Sequence, residues 1–157
     1  MPPLVSVRRV CSNDVAAVVV LVRDVLAEFG LRFGVGAATD DALAQLPASY
    51  EENGGAFWVA VDSTGELVGT CGVFPVEPGT FEVRKMYLRP EVRGQGVGRA
   101  LLDESVVWAR ARGGRRLVLD TTEQMTRAIA FYESHGFVRD DSQMRGVRCS
   151  RGYRRDL

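Results

Sequence analysis

Met86-Tyr87-Leu88-Arg89-Pro90-Glu91-Val92-Arg93-Gly94-Gln95-Gly96-Val97-Gly98-Arg99 reads as a strand end, a proline turn and a glycine-rich entry into a helix. Each part has a physical task. Glycines remove side chains where backbone must come close to a ligand, and the free N–H groups and dipole of a helix start favour negative charge. A diphosphate suits such a turn. A Walker loop would end in Gly-Lys-Ser/Thr, which is absent. A Rossmann fingerprint would place glycine or alanine where Arg99 stands. Asp120, at the end of the next strand, imitates the ribose-binding acid of a Rossmann unit. However, such a unit opens its domain on a buried apolar strand, whereas Phe81 to Leu88 is polar and comes fourth.

Upstream of the turn, three strands follow in quick succession at Phe57 to Val61, Leu67 to Phe74 and Phe81 to Leu88. Asp62-Ser63-Thr64-Gly65 is a hairpin signal, and Pro75, Pro78 and Gly79 break the next connection, so an antiparallel meander is expected. Earlier still, Leu4 to Val10 alternates like a short strand. Ser12, Asn13 and Asp14 can cap a helix running to about Phe29. A glycine-rich loop over 30–38 leads to a second helix around Asp40 to Glu51.

Downstream, a helix is expected from Val97 to about Arg112, with Val97, Leu101, Leu102, Ser105, Trp108 and Ala109 on one face. Gly113-Gly114 stops it. The apolar run Leu117-Val118-Leu119 fits a strand beside a neighbour reached through that helix. Met125 to Ser134 reads as a further helix ending at Gly136. Phe137-Val138 and Gly152-Tyr153 supply the last strands. The sum is one α/β domain over residues 1–157, a mixed sheet flanked by helices.

Composition bounds the chemistry. With 157 residues, 46% hydrophobic and 25% charged, the chain suits a single globular domain. It holds no apolar run of about eighteen residues, and Met1-Pro2-Pro3-Leu4 lacks the basic and apolar regions of a signal peptide, so a cytoplasmic protein without membrane contact is expected. Three scattered cysteines and one histidine argue against a disulfide framework or a metal centre. Net charge is zero, which removes any long-range pull on nucleic acid. It is unevenly placed, with 4 basic and 11 acidic residues over 1–83 against 16 basic and 9 acidic over 84–157. The basic half suits a polyanionic small molecule, and the acidic half mildly favours a cationic partner.

Met86-Tyr87-Leu88-x-Pro90-x-x-Arg93-Gly94-x-Gly96-x-Gly98, followed by Ala128-x-x-x-Tyr132-Glu133-x-x-Gly136-Phe137, resembles the GNAT superfamily of N-acetyltransferases. The resemblance spans residues 57–138. It implies a mostly antiparallel mixed sheet of six to seven strands with about four helices, opened as a V between the fourth and fifth strands. The pantetheine arm of acetyl-CoA would enter there. The backbone of Met86, Tyr87 and Leu88 would pair with its amides, and Arg93, Gly94, Gln95, Gly96, Val97, Gly98 and Arg99 would hold the diphosphate. The same resemblance implies acetyl transfer to an amine, with a small-molecule acceptor and room for a homodimer. A protein N-terminus or lysine as acceptor, and a regulatory acyl-CoA-binding module, stay open.

Acyl transfer from a thioester to an amine needs a neutral amine, a donor for the developing oxyanion and a proton for the departing thiolate. Tyr132 stands where the family often places its general acid, and a phenol of pKa about 10 can protonate a thiolate whose conjugate acid lies near about 8.5. Glu82 and Asp120 are both candidate bases: Glu82 could equally be an exposed partner of Arg84, and Asp120 a turn or cap residue. A backbone N–H near Tyr87 or Leu88 would meet the oxyanion. Met125 stands where many members carry a cofactor-contacting asparagine. His135 at a helix end and Cys71 inside a strand read as structural.

Overall fold

The computed structural model describes residues 4–34, 38–146 and 148–157; the central part of the expected glycine loop lies outside them. In chain order the elements are β1 (Val5–Arg9), α1 (Val15–Glu28), α2 (Ala48–Glu51), β2 (Ala56–Asp62), β3 (Leu67–Glu77), β4 (Thr80–Leu88), α3 (Val97–Ala111), β5 (Arg116–Thr121), α4 (Thr126–Ser134), β6 (Val138–Arg139) and β7 (Arg151–Asp156). The seven strands form one sheet in the order β1-β2-β3-β4-β5-β7-β6. Every neighbouring pair is antiparallel except β4 and β5, which α3 connects as a parallel crossover. The expected meander is β2, β3 and β4.

Two apolar clusters account for the sheet's position. One joins Leu101, Leu102, Val106 and Trp108 of α3 and Ile129 and Tyr132 of α4 to Trp58, Cys71, Phe81 and Leu117. Trp108 stands edge-on to both Trp58 and Phe81. The other joins Val18, Val22 and Leu26 of α1 and Leu43, Leu46 and Tyr50 to Phe57 and Val59. Adjacent strand residues Phe57 and Trp58 thus serve opposite clusters, as the two-residue period of a strand requires. The apolar face expected for α3 is the face that is buried.

The single helix expected over Asp40 to Glu51 is instead a 3-10 segment, Ala38–Gln45, followed by the one-turn α2. Pro47 separates them: its ring excludes an N–H donor and disfavours a helical conformation at Leu46. Asp14 precedes α1 as expected, but its carboxylate does not cap the helix. It accepts the Cys11 backbone N–H at 2.8 Å and both guanidinium arms of Arg8 at 2.8 and 2.9 Å. No helix among the described residues is long and apolar enough to cross a membrane.

The uneven charge of the two halves is largely spent on pairs between them. Arg89 bonds Asp24 at 2.8 Å, Arg93 grips Glu28 through two bonds of 2.9 and 2.8 Å, and Lys85 and Arg148 both reach Asp40. Those acidic residues therefore serve the fold. The charge division no longer argues for a cationic acceptor.

Candidate active site

β4 and β5 are hydrogen-bonded only where Thr80, Phe81 and Glu82 face Arg116, Leu117 and Val118. Beyond that point the two strands diverge, β4 continuing to Leu88 and β5 to Thr121, each without its neighbour. A cavity of about 640 Å³ opens in the gap. It is the V expected between the fourth and fifth strands, and among the described residues β5 pairs with no residue of β4 after Glu82.

A bulge shapes the same stretch. Thr70 faces Tyr87 and Gly72 faces Arg84, so Lys85 and Met86 together oppose Cys71. Lys85 takes a left-handed backbone with φ of 55°, uncommon for a residue with a side chain. The surroundings hold it there: Thr70 Oγ1 donates to the Lys85 carbonyl at 2.6 Å, and the ammonium of Lys85 pairs with buried Asp40. Arg148 donates to both oxygens of Asp40 at 3.0 and 3.1 Å, and the Gly34 N–H adds a bond of 2.8 Å. Burial lowers the Lys85 pKa, while its bond to Asp40 works the other way. The result is a strap across the cavity from the 3-10 segment to the loop before β7.

Tyr132, Glu82 and Asp120 all line this cavity, together with Met86 and Tyr87. Tyr132 is 7% exposed, and its hydroxyl makes no hydrogen bond among the described residues. Burial pushes its pKa above that of a free phenol. Tyr87, pushed up to about 12 by burial, stands near Arg148. Glu82 is 5% exposed, not the exposed strand residue that was its alternative reading. Its Oε1 accepts from Arg84 Nε, whose guanidinium lies over the Phe74 ring at 4.2 Å. Glu82 Oε2 is buried without a hydrogen-bond partner among the described residues, and Arg145 Nη1 stands 3.7 Å away.

Asp120 is placed differently. Its Oδ2 accepts the backbone N–H of Arg145 at 2.6 Å and of Gly146 at 2.7 Å, which fixes the loop before β7 against the end of β5. Its alternative reading, a turn residue, is realised with this loop.

The glycine turn lies beside the cavity and is not part of its lining, as is also true of Leu88. Gly94 and Gly96 have φ of 76° and 84°, and nothing stands within 4 Å of a Cβ placed on Gly96. The first bond into α3 runs from Ala100 N–H to Gly96 O at 3.0 Å, so the amides of Val97, Gly98 and Arg99 have no helical acceptor. Arg93 turns its guanidinium onto Glu28 and the Leu88 carbonyl, Gln95 Nε2 bonds the Glu91 carbonyl at 3.0 Å, and Arg99 is exposed with a loose Asp103 pair at 3.9 Å. Met125, where the resemblance expected an asparagine in many members, lines the cavity with its sulfur accepting from Thr121 Oγ1 at 3.6 Å.

A sequence model of the acetyltransferase (GNAT) family matches residues 23–137. The chain belongs to that family. This GNAT chain is 37% identical over 134 residues to the uncharacterized N-acetyltransferase YjgM of Escherichia coli (strain K12), covering 83% of this chain and 80% of YjgM. Its fold is that of a GNAT acetyltransferase from Staphylococcus aureus Mu50, with a TM-score of 0.90, 20% identity and coverage of 98% and 99%. It also matches the acetyltransferase yncA from Salmonella typhimurium, solved with its cofactor acetyl-CoA, at a TM-score of 0.74, 20% identity and coverage of 98% and 94%. The expected α/β fold and the acetyl-CoA-dependent acyltransferase class are those of the GNAT family.

Several cavity residues carried no signal in the sequence. Lys85, Thr122, Arg145, Arg148 and Cys149 reach the site from a bulge and loops, where no periodicity marks direction. The only hint was the basic run Arg145-Gly146-Val147-Arg148 before the last strand.

Proposed function

We propose that this acetyltransferase acts on a primary amine of a small molecule, by direct attack with donor and acceptor bound together. Acetyl-CoA, when bound, supplies the acetyl group as a thioester. The residues present fit it: β4 from Met86 to Leu88 runs beyond its pairing with β5 and offers backbone groups to the pantetheine amides, although the Leu88 carbonyl is already held by Arg93. The turn from Arg93 to Arg99 offers three free helical amides and an approach to Gly96 clear of any Cβ. Backbone serves there, since the Arg93 guanidinium is already held by Glu28.

Glu82 is the base. Its unpartnered Oε2 takes a proton from the acceptor ammonium, freeing the nitrogen lone pair to bond the acetyl carbon as the C–S bond breaks. Tyr132 gives its proton to the departing sulfur, and the phenolate so formed takes back the second proton that the nitrogen sheds as it becomes the amide. Burial makes it a weaker acid than free phenol, yet the thiolate forms in the same low-dielectric space, where its charge is penalised too. Asp120 is the positioning residue for the wall beside them. The observation that carries this reading is that Glu82 and Tyr132 converge on one cavity where β4 and β5 part.

The strap of Lys85, Asp40 and Arg148 and the Asp120-bound loop fence the cavity's walls, which supports a small acceptor over an extended peptide. Thiol release from acetyl-CoA across amines, amino acids, aminoglycosides and peptides tests the reading. Turnover confined to peptides would replace the small acceptor with a polypeptide. No thiol release from any amine, with acetyl-CoA still bound, would leave a regulatory binding module.

A further inference from the structure

The charges around Glu82 restrict the acceptor further, given the amine acetylation proposed above. Glu82 is one buried carboxylate with guanidinium groups at both oxygens. Arg84 bonds Oε1, and Arg145 stands 3.7 Å from Oε2, beyond hydrogen-bond reach. Arg145 is loosely held. Its own hydrogen bonds go to Gln143 O at 3.0 Å and Gln143 Oε1 at 3.4 Å, its contact with Glu77 is also 3.7 Å, and a third of its side-chain surface is exposed. The other carboxylate on this wall, Asp120, has Oδ2 committed to two backbone amides. A simple ammonium arriving at Glu82 would be the third cation on one carboxylate, and would have to displace Arg145 without offering it a partner.

We infer that the acceptor carries its own anionic group beside the amine, and that it is of the α-amino acid class. Such a zwitterion inserts into the loose Glu82–Arg145 pair. Its ammonium takes Glu82 Oε2, its carboxylate takes the Arg145 guanidinium in the two-pronged geometry that guanidinium and carboxylate share, and no net charge enters the cavity. The short spacing between Glu82 and Arg145 matches amine and carboxylate borne on one carbon better than groups at the two ends of a chain. Thr122, 4% exposed and with a hydroxyl lacking any partner among the described residues, adds a neutral donor for the carboxylate in the same cavity. Arg145 is thus the specificity residue, and Glu82 keeps its role as base.

The test measures thiol release from acetyl-CoA with L-α-amino acids, each beside its carboxamide, which keeps the shape and removes the negative charge. At least one amino acid should exceed its carboxamide by about tenfold or more in kcat/KM, the scale of one charge-assisted pair. In Arg145→Met that ratio should fall to near one, through KM for the amino acid. Titration calorimetry into protein saturated with coenzyme A should show the amino acid's binding weakened in Arg145→Met, with coenzyme A binding as the check that the variant is folded. Arg145→Lys should restore part of the preference. Carboxamides used as well as their acids, or a preference that survives Arg145→Met, overturns this inference and leaves amine acetylation standing. Thiol release from no amine at all overturns both.

Discussion

Asp120 Oδ2 accepts the Gly146 backbone N–H at 2.7 Å, tying the end of β5 to the loop that carries Arg145 and Arg148. The carboxylate is a clamp there. Asp120→Ala should cost about 1–3 kcal/mol in denaturant unfolding, the net worth of hydrogen bonds from two partly solvent-accessible backbone donors to a charged acceptor. Acceptor KM should rise, since the loop loses its anchor. A loss of kcat alone, with stability intact, would return Asp120 to the role of base.

Glu82→Gln keeps the shape of the side chain and its contact with Arg84 but removes the proton acceptor. We expect kcat to fall by about 10²–10⁴-fold while the Kd for acetyl-CoA, measured by calorimetry, stays put. Unchanged turnover would exclude Glu82 as base.

Tyr132→Phe should fit without strain, because the hydroxyl has no hydrogen bond to lose among the described residues. Turnover should drop by about 10²-fold with donor binding preserved. A general acid must be protonated to act, and burial raises the Tyr132 pKa above the ordinary phenol value of about 10. The wild-type rate should therefore show no decline from this group up to about pH 10. A falling limb near pH 9 that disappears in the Phe variant would contradict that assignment.

Gly96→Ala tests the glycine turn. At φ of 84° an alanine is strained by roughly 1–2 kcal/mol even though no atom crowds its Cβ. The chain should relieve it by moving the start of α3, and acetyl-CoA binding should weaken about tenfold with acceptor KM little changed.

Acid stability should report on Asp14, whose pKa is pulled down to about 2, first by the hydrogen bond from Arg8. A carboxylate with a depressed folded pKa stabilises fully above its unfolded pKa of about 3.9 and loses that contribution as pH falls toward 2. Asp14→Asn should be about 1–2 kcal/mol less stable than the parent at neutral pH, a modest figure because Arg8 is half exposed. The difference should narrow below about pH 4. A constant difference down to pH 2 would assign the effect to packing.

What could be read from the chain depended on whether a residue's role was local. Gly94 and Gly96 declared a turn because no other residue takes those backbone angles freely. Val97 to Ala111 announced its buried face through spacing, and Tyr132 stood in a recognisable phrase with Gly136-Phe137. Pro47 stands in the sequence too, and it splits the 40–51 segment into a 3-10 stretch and one helical turn. Arg145, Arg148 and Thr122 were not legible. They converge through loops anchored by partners such as Asp120 and Asp40, which lie 25 and 108 residues away from Arg145 and Arg148. For Glu82 the sequence left a buried base and an exposed partner of Arg84 equally open, because burial of three consecutive residues, Phe81, Glu82 and Val83, follows from cover on both faces of β4, which strand alternation does not reveal.

The pairs that join the acidic first half to the basic second half also bear on how ligands arrive. With no net charge in sum, the molecule exerts no net long-range pull on a ligand of either sign. Encounter with donor and acceptor is then set by diffusion and shape, and association rates should change little between dilute and concentrated salt. Charge acts here only after arrival, at contact distance, as the means of choosing among molecules already inside.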